Sequence, residues 1–79
     1  MTTPTRAVNG AAVKVIRELT GISQRDLAAR CQITQGHLSN VERGIFGGSV
    51  TLARQLAAAL DVPLEAILYR GPAPEQVPA

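Results

Sequence analysis

Three features of the amino-acid sequence predict an all-α fold, a compact domain of five short helices. Apolar residues recur three and four positions apart along most of the chain. Ser or Thr stands just ahead of several of these runs, and no strand, repeat or low-complexity array is visible between them. At 79 residues the chain makes one small domain with a modest core. Cys31 is the single cysteine, so no disulfide can close within the chain, and it forms no plausible metal site with the single histidine, His37. No cofactor is expected.

Residues 1–10 hold Thr, Pro and Asn without periodicity and are expected to be a flexible arm; Arg6 is its one cation. The folded domain is expected over residues 11–70. In 11–20, Ala12, Val13, Ile16 and Leu19 make an apolar stripe, with Lys14, Arg17 and Glu18 between them and Val15 off it, and Gly21 stops the helix. Ser23 caps the second helix, and Asp26 sits where the helix dipole favours a negative charge. Leu27, Ala28 and Cys31 face the core; Ala28 is small enough for two helices crossing steeply at a short turn, and Cys31 reads as a small hydrophobe, not a nucleophile.

Gln32, Ile33 and Thr34 form the turn, with Ile33 directed inward and Thr34 capping a third helix over 35–43 that ends near Gly44. Residues 45–48 are a glycine-rich loop whose Phe46 is expected to lie over the core, the alternative being an exposed contact for a partner. Ser49 caps a fourth helix reaching Leu60, with Leu52, Leu56, Ala57 and Leu60 inward and Arg54, Gln55 and Ala58 outward. Asp61, Val62 and Pro63 break it. Pro63 then opens a fifth helix at its first position, with Leu64, Ile67 and Leu68 apolar. Residues 71–79 contain three of the prolines and are expected to be a disordered tail.

The formal net charge is +2 and the isoelectric point about 9.3, a weak basic bias shared by many small proteins. Arg6, Arg17, Arg25, Arg30, Arg43, Arg54 and Arg70 outnumber the one lysine, Lys14; arginine suits bidentate contact with phosphate and guanine, and a GC-rich genome gives the same bias. No signal peptide opens the chain and no run of apolar residues is long enough to span a bilayer, so a reducing, cytoplasmic setting is expected.

The third helix has two faces. At about 100° per residue, Leu38 and Val41 fall on one narrow arc, joined by Ile45 if the helix continues, while Gln35, Gly36, Ser39, Asn40 and Arg43 fall on the opposite one. The first arc is fit for burial. The second carries short hydrogen-bonding groups and a cation, which suits the edges of bases in a DNA major groove.

The segment 23–44 resembles the helix-turn-helix of the Cro and phage-repressor class, also called Xre-like. The likeness rests on Ser23-Gln24-x-x-Leu27-Ala28, on Ile33-Thr34-Gln35-x-x-Leu38-Ser39-x-Val41-Glu42-x-Gly44, and on Leu56-Ala57-x-x-Leu60-x-Val62-x-Leu64. It implies a lambda-repressor-like domain, with 35–43 as the recognition helix. By the same resemblance, Gln24 bonds a phosphate and braces Gln35, Gln35 makes the bidentate contact with adenine, and Asn40 and the position of Gly36 also address bases. Gly36 has no side chain, so one reading position is lost and the helix can sit closer to the groove. Thr34, His37, Ser39 and Arg43 go to the phosphate backbone, with Arg43 also able to address guanine. Arg17 and Glu42 match a partly buried salt bridge that ties the first helix to the third. Gln32 departs from the pattern, since it stands where the class often has glycine in a left-handed turn.

The resemblance therefore implies a sequence-specific transcription regulator of phage or bacterial type, a repressor that occupies an operator in double-stranded DNA as a homodimer. With no separate dimerisation domain in the chain, the dimer would use residues 63–69 with the Phe46 loop, or form only on DNA. An antitoxin or adaptor that uses the same fold to bind a protein is the alternative. One histidine, a buried cysteine, and no carboxylate pair or phosphate loop at suitable spacing argue against an enzyme and leave no catalytic residue to name.

Overall fold

Short-range chemistry at the helix ends accounts for much of the architecture. The structure is a computed structural model that describes residues 8–45 and 49–69. It contains α1 (Gly10–Thr20), α2 (Gln24–Arg30), α3 (Gln35–Glu42) and α4 (Val50–Leu60), followed by a 3-10 turn at Leu64–Ile67. Each α-helix starts on a side-chain cap: Asn9, Ser23, Thr34 and Ser49 accept the backbone N–H of Ala12, Asp26, His37 and Leu52.

The four helices also end alike. Gly21, Gln32, Gly44 and Asp61 take left-handed backbone angles, with φ of 76°, 58°, 79° and 57°. The following N–H groups, on Ile22, Ile33, Ile45 and Val62, then donate back to the carbonyls of Arg17, Ala28, Asn40 and Ala57. Ile22, Ile33 and Val62 pack against the core as they do so, which couples helix closure to burial. Ile45 stays 53% exposed. It does not join Leu38 and Val41, because α3 stops at Glu42 and the left-handed turn at Gly44 takes the chain off that arc.

Every element contributes to one core. Val13, Leu27, Cys31, Leu38, Val41, Leu56 and Ile67 are fully buried, and Ala28, Leu52, Ala53, Ala57 and Leu60 fill the space between them. Burying each Val, Leu or Ile side chain stabilises by about 1.5–3 kcal/mol. The α4 stripe expected from spacing is all interior, and Arg54, Gln55 and Ala58 are exposed.

The structure corrects three expectations. The fifth helix is a single 3-10 turn of four residues, with Pro63 ahead of it in extended geometry (ψ 148°) and Leu68 extended after it, so the described residues hold four α-helices and one 3-10 turn. Residues 8–10 belong to the packed domain, not to an arm: Val8 is buried and bridges antiparallel to Leu68, Asn9 donates its N–H to the Ile67 carbonyl at 2.7 Å, and α1 begins at Gly10. Leu19 is 81% exposed. The helix is rolled to present Gly10, Val13 and Arg17 inward, which leaves Leu19 and Val15 on the far side.

The roll of α1 has a steric cause at Gly10. A Cβ built there would run into the Val41 carbonyl oxygen and crowd the Glu42 backbone, so only glycine lets α1 approach the C-terminal end of α3 this closely. Expectations for Arg6, for Phe46 and its loop, and for the tail 71–79 lie outside the described residues. Among the described residues no helix is long and apolar enough to cross a membrane.

Candidate nucleic-acid interface

The candidate site is the outer face of α3 with the first residue of α2 beside it. Leu38 and Val41 anchor α3 from below, both with no exposure, while Gln35, Gly36, His37 and Arg43 are exposed and Ser39 and Asn40 are half-buried. Thr34 is exposed at the head of the helix, where its Oγ1 accepts from the His37 N–H at 3.0 Å. A hydroxyl that accepts can still donate, so Thr34 keeps a proton to offer outward. The structure thus brings Gln24, Thr34, Gln35, Gly36, His37, Ser39, Asn40 and Arg43 onto the two elements that form the exposed face.

Beneath this face runs a chain of polar contacts. Arg17 donates to Glu42 twice, Nε to Oε2 at 2.7 Å and Nη2 to Oε1 at 3.1 Å, and its Nη1 donates to the Ile22 carbonyl at 3.1 Å. The ion pair tying α1 to α3 is therefore formed, and both side chains are mostly out of water, at 12% and 2% exposure. The hydrogen bond to Glu42 holds the Arg17 guanidinium above its ordinary pKa; burial works against it, and the nearby charges of Glu42 and then Glu18 add to the rise. Glu42 is the one charged side chain buried among the described residues.

The chain continues to the surface. Gln24 donates Nε2 to Glu42 Oε1 at 3.1 Å, and Gln35 donates Nε2 to Gln24 Oε1 at 3.4 Å, the long end of the hydrogen-bonding range. The order of donors is dictated from the buried end. An ionised carboxylate only accepts, so Gln24 must turn its NH₂ toward Glu42 and its carbonyl toward Gln35. Gln35 must then turn its own NH₂ inward. One N–H and the carbonyl oxygen remain for an outside group, a donor and acceptor side by side, which complements the N7 and N6–H₂ of adenine.

One of these links is invisible in the sequence. The family likeness points to Arg17 with Glu42 and to Gln24 with Gln35 as separate pairs; the Gln24–Glu42 bond that joins them comes from tertiary packing of α2 on α3. Gly10, which sets how closely α1 meets α3, carries no local signal either. Cys31 is buried, and burial pushes its thiol up, so it stays a protonated core side chain.

Comparison with known proteins places the chain in a family. A helix-turn-helix family model matches residues 13–67. An uncharacterized HTH-type transcriptional regulator of Mycobacterium tuberculosis is 36% identical over 61 residues, covering 77% of this chain; the chain spans 44% of that relative's length. The clp gene regulator ClgR of Corynebacterium glutamicum is similar in structure, with a TM-score of 0.68, 32% identity, and coverage of 71% of this chain and 73% of that one. SinR, a master regulator of biofilm formation from Bacillus subtilis, was solved in complex with DNA and matches with a TM-score of 0.66 and 28% identity over 71% of this chain and 90% of its own. By sequence match and by fold, the chain belongs to the helix-turn-helix family of the Cro and phage-repressor (Xre-like) kind.

Proposed function

We propose that this protein is a transcription regulator that binds double-stranded DNA in a sequence-specific way and represses by occupying its operator. The observation that carries the reading is the polar chain from Arg17 to Gln35, which leaves one N–H and the carbonyl oxygen of the exposed Gln35 amide available to an outside group. Gln35 and Asn40 address base edges from the major groove, and α3 meets the groove closely at Gly36. Gln24, Thr34, His37, Ser39 and Arg43 set register on the phosphate backbone. The working unit is a homodimer on a partly palindromic site, with half-sites about 34 Å apart along one helical turn. Its second contact surface is the segment 63–69, and dimerisation on the duplex alone satisfies the same geometry.

Selection of bound sequences from a random duplex pool tests this directly. One enriched palindromic motif is the expected result. On that motif Gln35→Ala loses about 1–3 kcal/mol of binding while affinity for random duplex hardly changes. Arg43→Gln weakens all duplexes alike and lowers the slope of log affinity against log salt by about 1. Equal loss on cognate and random DNA with Gln35→Ala would remove that residue from base reading.

A further inference from the structure

The Oε1 atom of Glu42 accepts two hydrogen bonds, from Arg17 Nη2 and from Gln24 Nε2, both at 3.1 Å. The first, with the bond from Nε to Oε2, closes the ion pair of α1 with α3. The second lies outside that pair and leads toward the surface, to an amide at the start of α2 that in turn receives Gln35. A glutamine amide fits its place either way round, since NH₂ and C=O are alike in size, and its neighbours decide which end goes where. Turning the Gln24 amide over would set its oxygen against the Glu42 carboxylate, two acceptors with no proton between them. At 2% exposure that carboxylate has little water to turn to instead.

The order so excluded has a definite chemical meaning. With the amides reversed, Gln35 would accept from Gln24 through its carbonyl and present both N–H groups outward. Two donors match N7 and O6 of guanine, whereas a donor beside an acceptor matches N7 and N6–H₂ of adenine. We infer that Glu42 is a specificity-determining residue that never touches DNA: its buried charge acts through Gln24 as a positioning group, so that Gln35 takes adenine and refuses guanine. The inference rests on the duplex reading proposed above and gives Glu42 a role besides holding α1 to α3.

The test uses the full chain and the duplex enriched from the random pool, with a copy in which the A·T pair whose preference depends on Gln35 is replaced by G·C. Wild type is expected to bind the adenine duplex about 10–100 times more tightly than the guanine copy, the discrimination of one bidentate amide contact. In Glu42→Gln, Arg17 claims the new carbonyl because it only donates, and the new NH₂ turns to Gln24 and reverses the chain. The adenine-to-guanine ratio is then expected to fall by about tenfold or more, toward guanine. The double variant Arg17→Met with Glu42→Leu removes both charges together and keeps the fold. It frees the amides to take either order, so its ratio falls as well. Ratios at the other base pairs of the half-site stay as in the wild type, which mere loosening of α3 would not allow.

An undiminished adenine preference in both variants, or an equal loss of discrimination at every base pair, would overturn the role of Glu42. If Glu42→Gln does not fold, the double variant decides alone. Where Gln35→Ala still abolishes the adenine preference in those cases, the duplex reading stands without the inference. If no A·T pair depends on Gln35, or the pool yields no motif, the reading itself falls and takes the inference with it.

Discussion

At its C-terminal end α3 gives Val41 and Glu42 to the interior, with the α1 backbone seated against the Val41 carbonyl at Gly10 and the Arg17 guanidinium closed on Glu42. At its N-terminal end Gln35, Gly36 and His37 stand in solvent, and Gln35 leans on the Gln24 amide. One end has side chains chosen for what the protein packs there. The other has exposed side chains, and a Cβ built at Gly36 would meet nothing within 4 Å. A helix held firmly at one end and left available at the other is organised for an external partner to complete it.

The largest effect that should separate the two ends comes from the ion pair. Arg17→Met strands the Glu42 carboxylate and should lower unfolding free energy by about 3–5 kcal/mol in urea titrations, while the double variant Arg17→Met with Glu42→Leu should recover most of it. If the double variant is as unstable as the single one, the charge itself is not what is being stranded. Gly10→Ala should follow, at about 1–3 kcal/mol, since the helices must part to admit the methyl. Gln24, which bridges the two ends, stands in contrast: Gln24→Leu removes one donor from Glu42 and should cost stability only about 1 kcal/mol. Its larger signature is weaker cognate binding with Gln35 still in place, read by titration of the enriched duplex.

Helix ends were largely legible because their chemistry is local. Ser23, Thr34 and Ser49 were readable as caps from three or four residues of context, as were the glycine stops at Gly21 and Gly44. Asn9 caps by the same local geometry, but its backbone bond to Ile67 and the bridge of Val8 to Leu68 join distant stretches that no window of sequence reveals. Leu19 was misplaced for a related reason. Periodicity gives a stripe, but the roll of α1 is set by Gly10 and Arg17 meeting α3. The residues of the candidate site came from pattern and family likeness; the Gln24–Glu42 bond that aligns them had to be seen in space.

Gln32 offers a smaller check on the turn that joins the two ends of the motif. It holds φ 58° without being glycine, so Gln32→Gly should raise stability by about 1 kcal/mol and leave duplex affinity unchanged, since the residue makes no proposed contact. A gain with altered affinity would mean that the turn also tunes the angle of α3.

The smallest effect is in pH. The Cys31 pKa is raised in the folded chain, so the folded state holds its proton more firmly than the unfolded one. Stability from this source is complete below the ordinary thiol range and declines as pH climbs through the raised value. Cys31→Ala should flatten that alkaline decline. Arg17 is raised in the same sense, and its contribution is lost only in stronger alkali, leaving stability near neutrality insensitive to it.

The hydrogen bond from Asn9 to the Ile67 carbonyl joins the first described stretch of backbone to the last. Its amide proton therefore exchanges with solvent only when that junction parts, whichever side lets go. Because Gly10 follows Asn9 directly and braces α3, slow deuterium uptake at this single amide would report whether the chain's two distant stretches, and through them the seat of α3, are closed at the same time.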